Sequence, residues 1–114
     1  TREKEFEMRI SGSSYETIRE KGGGILNSTR HLREASEDLL ISKVKSRMDT
    51  FLKLGTTTIE CKSGYGLNTV SELKSLNTID KVNKNHEIDM IPTFMGGHDF
   101  PIEFQKNQKK YGII

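Results

Sequence analysis

Thr56-Thr-Thr-Ile-Glu-Cys-Lys-Ser-Gly-Tyr-Gly-Leu67 is the stretch whose reading decides the fold. Its three threonines and Ile59 carry branched Cβ atoms, which are stiff at χ1 and pack well on a pleated surface, so the run predicts a short strand. The strand turns charged at Glu60 and Lys62 and breaks at Gly64 and Gly66. A strand that runs into ionisable groups and a Gly-bracketed tyrosine predicts a binding loop at its carboxyl end. Glu60 and Lys62 share one face, where a structural ion pair is a simpler expectation than catalysis. Cys61 points to the other face, as a small buried hydrophobe.

Upstream, Ser36-Glu-Asp38 opens a long helix. Ser36 caps orphan N–H groups, and two acids sit in the first turn where the macrodipole favours them. Leu40, Val44, Met48, Phe51 and Leu52 form one apolar face with Met48 and Phe51 expected in the core, and Gly55 is the C′ stop. Downstream, Thr69-Val-Ser-Glu72 matches a capping box, and Val70, Leu73, Leu76, Ile79 and Val82 recur at three-residue steps as a second amphipathic helix. Ile88–Met95 reads as a second strand, where Pro92 lacks a ladder donor and predicts a bulge or strand end. It finishes in Gly96-Gly-His-Asp99.

Helix, strand, helix, strand at this spacing predicts an α/β fold of parallel β/α units, in which ligands gather at the carboxyl ends of strands. Both polar clusters, Glu60–Tyr65 and Gly96–Asp99, fall at such ends. The flanks are less regular. Phe6, Met8 and Ile10 alternate as a short strand would. Ser11-Gly-Ser-Ser14 is a turn and an N-cap for a helix over Tyr15–Lys21, which Gly22-Gly-Gly24 stops. No Lys-Ser or Lys-Thr pair follows those glycines at P-loop spacing. From Phe100 onward there is no clear period, and Lys106-Asn-Gln-Lys-Lys110 reads as a solvated basic tail.

The composition is lean for a chain that must cover both faces of a sheet. Hydrophobic residues make up 32% and charged residues 30% of 114, whereas ordinary domains carry roughly 45–50% apolar residues counting Gly. The shortfall fits one fragment over residues 1–114 whose missing partners complete the core, with no separate second domain. Net charge is +2, from 18 basic and 16 acidic side chains that are interspersed, which argues against a nucleic-acid binder with one basic face. A single cysteine makes no internal disulfide and points to a reducing compartment. No apolar run approaches the ~20 residues of a membrane helix.

His98 follows two glycines, so its ring stands on backbone that a ligand can approach, or it bonds a loop carbonyl. Asp99 either orients it or caps a turn. Tyr65 offers a phenol as a donor or as a lid. His31 and His86 lie in polar surroundings and read as surface residues. No His-x-His, Cys-x-x-Cys, His-Glu-x-x-His or nucleophile elbow occurs, and three scattered histidines make no metal site by spacing. A small α/β binding module without catalysis is one reading of this pattern.

Glu60-Cys-Lys-Ser-Gly-Tyr-Gly-Leu67 resembles the Glu-x-Lys-Ser-Gly-Tyr-Gly-Leu stretch of the imidazolonepropionases, in the amidohydrolase superfamily. Further blocks resemble that family in the same order: Arg2-Glu-Lys-Glu5, Ser14-Tyr15, Gly22-Gly-Gly-Ile-Leu26, Ala35-Ser-Glu37, Gly55-Thr-Thr-Thr58, and Thr93-Phe-Met-Gly96 with His98. The resemblance implies a partial (β/α)8 barrel and a cytoplasmic hydrolase of histidine degradation. That enzyme converts 4-imidazolone-5-propanoate to N-formimidoyl-glutamate with one zinc or iron ion, and a homodimer of the complete enzyme is compatible with it. It implies a small-molecule substrate, with neither nucleic acid nor membrane as partner. Carried onto this chain, Arg2, Tyr65 and His98 would be substrate-binding residues. The family's His-x-His pair would precede Thr1, and its remaining metal ligands and catalytic glutamate would follow Ile114, so the 114-residue chain alone is expected to be inactive. Gly97-His98-Asp99 replaces the family's usual Ala-His-Ala and makes the surroundings of His98 more polar.

Overall fold

The computed structural model describes residues 2–104 and 108–111. Its helices are α1 (Glu3–Ile10), α2 (Tyr15–Glu20), α3 (Ile25–Glu34), α4 (Glu37–Lys53), α5 (Thr69–Asn83) and α6 (Gln108–Tyr111), with a 3-10 turn at Ile102–Phe104. Strands β1 (Thr58–Lys62) and β2 (Asp89–Thr93) form a parallel two-stranded sheet in which Thr58 stands opposite Asp89 and Lys62 opposite Thr93. The protein is therefore α/β, with β1, α5 and β2 as one parallel crossover unit.

Among the described residues the sheet is covered on one face only. Ile59 and Cys61 of β1 turn towards a core made by Met48 of α4, Ile79 and Val82 of α5, Ile88 and Met90, with Ile41 and Val44 packed around it. The opposite face presents Thr58, Glu60, Lys62, Asp89 and Ile91, all exposed. A radius of gyration of 15.7 Å also exceeds the roughly 13 Å of a compact domain of this length. Apolar burial is thus concentrated in the α4–β1–α5–β2 portion.

The long helices form where capping and periodicity place them. Ser36 Oγ accepts from the Leu39 amide at the start of α4, and Lys81 of α5 pairs with Glu37 at 2.7 Å, fastening the two helices. Ser14 Oγ accepts from the Thr17 amide, and the Gly23 amide donates to Ile18 O where α2 stops.

Other expectations are corrected. Residues 3–10 are helix, not strand: three residues of one parity do not outweigh the good helix formers Glu7 and Arg9 between them and Glu3, Lys4 and Glu5 before them. Phe51 is 40% exposed, and Ile41 packs against the core in place of it. On α5, Val70 and Leu73 are 78% and 53% exposed. A step of three residues falls short of a turn by roughly 60°, so a ladder of threes walks off the face that Ile79 and Val82 bury.

Pro92 makes no bulge. It sits in register opposite Cys61. Asp89 N donates to Thr57 O, and Thr93 O accepts from Ser63 N, so the odd-numbered residues of β2 bond β1. Met90, of the other parity, turns its amide away to Asn83 Oδ1 at 2.7 Å. Pro92 shares that parity, so its missing donor removes nothing from this ladder.

His86 is not a surface side chain. It is 5% exposed, accepts from the Ile88 amide through Nδ1, and reaches Asp49 through Nε2 at 3.1 Å. His31 is exposed, as expected, and bonds Asn27 O within its own helix. In the basic tail, Lys109 and Lys110 are exposed, while Lys106 and Asn107 lie outside the described residues.

Candidate functional site

The two strand ends lead into adjoining loops. Beyond β1, Ser63-Gly-Tyr-Gly-Leu67 folds back onto the start of α5; beyond β2, Phe94 to Asp99 turns beside it. The Tyr65 and His98 rings meet edge to face, with centroids 5.5 Å apart and planes at 64°. Such an arrangement sets the positive edge of one ring against the negative face of the other. Tyr65 is 38% exposed and His98 is exposed, so both rings border open space.

Gly64 explains how the loops come so close. Its φ is +100°, and a Cβ placed there would stand 2.7 Å from Met95 O and 3.0 Å from His98 Cβ. Only glycine offers both the left-handed backbone and the room. Ser63, 2% exposed, adds the lateral ties: its amide donates to Thr93 O at 3.0 Å and its hydroxyl accepts from the Met95 amide at 3.1 Å.

Glu72 holds the first loop from beneath. Its Oε2 accepts from Gly64 N at 2.6 Å, and its Oε1 accepts from Gly66 N at 2.7 Å and Leu67 N at 3.0 Å. Burial by itself would push this carboxyl up. The Ser63 hydroxyl and the Gly64, Leu67 and Gly66 amides outweigh burial and hold it below the ordinary carboxylate range. The capping-box expectation at Thr69–Glu72 is therefore corrected. Asn68 is the N-cap, accepting from Ser71 N at 2.8 Å, which frees the Glu72 side chain to collect loop amides.

Arg33, from α3, clamps the same loop from outside. Its Nε donates to Gly66 O at 2.7 Å and a terminal nitrogen donates to Leu67 O at 3.2 Å, while its other arm pairs with Glu103. Lys74 donates to Arg33 O and Ala35 O, tying α5 to the carboxyl end of α3. Sequence reading missed both Arg33 and Glu72. The acid at position 72 was visible but open to a local explanation, and no local signal marks Arg33, whose partners lie more than thirty residues on.

The remaining expected residues fall as follows. Lys62 and Glu60 form the anticipated ion pair at 3.4 Å; the Thr93 hydroxyl, then Lys62, hold the exposed Glu60 carboxyl below the ordinary carboxylate range. Burial, then the Glu60 charge, pushes the Cys61 thiol up, as suits a packing residue. Asp99 accepts from the next amide, Phe100 N, at 2.7 Å, a bond within its own loop. Arg2 bonds Ser28 Oγ at 3.0 Å and lies 3.9 Å from Glu5. The rings of Tyr65 and His98 are brought together; Arg2 is held by partners on α1 and α3. A cavity of about 1090 Å³ is lined by Leu67, Val70, Leu73, Phe94, Gly97 and Phe100 among others, and Tyr65 and His98 are not in its lining.

Among the described residues no group of three or more His, Cys, Asp or Glu side chains could hold a metal ion. The described residues do not fit a zinc or iron centre.

Comparison with known proteins settles the relationship. The chain is 47% identical over 110 residues to the imidazolonepropionase of Clostridium tetani (strain Massachusetts / E88), covering 96% of this chain and 26% of that protein. The chain is homologous to a segment of imidazolonepropionase. The Shouchella clausii (strain KSM-K16) imidazolonepropionase is 45% identical over 107 residues, 94% of this chain and 24% of that enzyme. The Haloarcula marismortui imidazolonepropionase is 47% identical over 100 residues, 88% and 24% of the two chains. No protein-family model matches the chain. The chain spans about a quarter of the length of the curated imidazolonepropionases it matches. No helix among the described residues is long and apolar enough to cross a membrane.

Proposed function

We propose that this chain is part of a cytoplasmic imidazolonepropionase, contributing early β/α units of a (β/α)8 barrel and the substrate-contacting loops at their carboxyl ends. The reaction is hydrolysis of a cyclic amide C–N bond, from 4-imidazolone-5-propanoate to N-formimidoyl-L-glutamate. The observation that carries this reading is the Tyr65–His98 ring pair at the ends of adjacent parallel strands, within a chain so similar to imidazolonepropionases. A barrel gathers its ligand where its strands end, and the bare polar face of this sheet supports a position facing other strands.

In this role the Tyr65 phenol donates a hydrogen bond to the heterocycle, and the His98 ring contacts it from the second loop. Arg2 binds the propanoate through a charge-assisted pair, exchanging its exposed contacts with Ser28 and Glu5 for the substrate carboxylate. Zinc or iron belongs to the complete enzyme and is assigned to residues outside this chain.

The test is segment exchange. This chain replaces the matching stretch of the Clostridium tetani enzyme, and Arg2→Ala, Tyr65→Phe and His98→Ala are compared in that background. Each is expected to raise KM about tenfold or more, the cost of a lost hydrogen bond to a charged or buried partner. Three variants with unchanged kinetics would sink the assignment.

A further inference from the structure

We propose that Glu72 is a positioning residue of the site, the anchor that sets the Tyr65 loop and the His98 loop in register with each other; the proposal rests on the functional reading above. Glu72 is 6% exposed, and its carboxylate faces Gly64 N, Gly66 N and Leu67 N, the three amides that flank Tyr65 on both sides. Its two oxygens thus fix the peptide planes on which the Tyr65 ring is mounted, while the ring itself lies against His98. Leu67 is the sole non-glycine with positive φ among the described residues, at +54°, and its amide is one of the three.

The second loop is reached through Ser63. Ser63 directly precedes the Gly64 amide that Glu72 holds; its own amide donates to Thr93 O and its hydroxyl oxygen accepts from Met95 N, the peptide two residues before Gly97 and three before His98. Gly64, bonded to Glu72, is also where the two loops touch, with room for no Cβ between it and Met95 O. One buried acid therefore sets both the height of the first loop and its contact with the second. A neutral glutamine cannot replace it. Its amide end presents donors towards donors, leaving at least one loop N–H without an acceptor.

The consequence is kinetic rather than merely structural. A misplacement of about 1 Å in a substrate-holding group can cost on the order of a hundredfold in rate, and loss of Glu72 displaces Tyr65 and His98 together. The experiment is a double-mutant cycle in the exchanged Clostridium tetani enzyme, with folding followed by circular dichroism. Glu72→Gln is expected to lower kcat/KM on the order of a hundredfold. Tyr65→Phe, costing about tenfold alone, is expected to cost less than about twofold once Glu72 is gone, because its ring no longer meets the substrate. A simple loss of folded protein would leave the Tyr65→Phe ratio unchanged.

If Tyr65→Phe and His98→Ala cost activity but Glu72→Gln stays within about twofold, or acts additively with Tyr65→Phe, the positioning role fails and the functional reading stands. If both ring variants are silent with Glu72 intact, the functional reading fails and the positioning role with it. Should Glu72→Gln not fold, Ser63→Ala carries the test. It removes the hydroxyl that accepts from Met95 N while leaving the three amide bonds to Glu72 in place, is expected to cost about fivefold with the same non-additivity, and an additive result overturns the proposal.

Discussion

Gly64→Ala probes the point where the two loops interlock, and the structure allows its cost to be worked out. At φ +100° an alanine is strained wherever it sits, by about 1–2 kcal/mol. The added methyl would also stand 2.7 Å from the backbone oxygen of Met95 and 3.0 Å from the Cβ of both Met95 and His98, none of which is the free end of a flexible side chain. Forcing a methyl into such a contact adds about 1–3 kcal/mol, for a total of about 2–5 kcal/mol. Gly55→Ala is the matched control. Its φ is +92°, yet nothing lies within 4 Å of the position its Cβ would take, so it carries the backbone strain without the clash. Urea unfolding of the 114-residue chain, followed by helical circular dichroism, gives both values from the shift in midpoint at constant slope. Gly64→Ala should exceed Gly55→Ala by about 1–3 kcal/mol, or roughly 4 °C or more in Tm. Equal costs would mean that the loops are not in contact at Gly64, and the account of how Tyr65 meets His98 would fall.

The Glu72 carboxylate makes stability depend on acid. Its folded value is depressed below the ordinary 4.5, so its contribution is fully present above that pH and is lost as pH falls through the folded value. Thermal melts across that range should fall more steeply in the parent than in Glu72→Gln, and parallel curves would contradict the hydrogen bonds assigned to it. Asn83→Ala removes the acceptor of the Met90 amide on the buried side of β2, and should cost about 1–3 kcal/mol in the same urea assay; a cost near zero would mean that water reaches that edge. Met90→Ala empties a position 1% exposed in the middle of the core, where truncation costs about 2–5 kcal/mol, and should be the most damaging change on β2, well beyond Ile91→Ala at a residue 54% exposed.

The two strands and the two long helices were legible because each is specified locally. β-branched residues mark β1, and Ser36 with its following acids marks the start of α4. The pairing of Tyr65 with His98 was partly legible, since parallel units bring successive strand ends together. What could not be read was how the loops are held. Asn68 and Thr69 compete for the same cap, and that choice decides whether Glu72 serves the helix or the loop; only tertiary packing resolves it. Arg33 acts across more than thirty residues, on α3, a helix that lacks a side-chain cap and went unread in the sequence. The periodicity of α5 misled at its first turn, because residues that look like one stripe are spread around the helix by the mismatch between three and 3.6. Burial of His86 is likewise a product of folding, where the ring satisfies the amide of Ile88 and a carboxylate on α4.

The most direct measurement of the central claim is turnover by the exchanged enzyme itself. The Clostridium tetani imidazolonepropionase carrying residues 1–114 of this chain in place of its own matching quarter is assayed for loss of 4-imidazolone-5-propanoate beside the parent enzyme. If this chain is an imidazolonepropionase segment with its loops intact, the exchanged enzyme retains kcat/KM within about tenfold of the parent, the cost of about 1.4 kcal/mol of misfit. A folded, metal-loaded exchange enzyme with no turnover would contradict the claim.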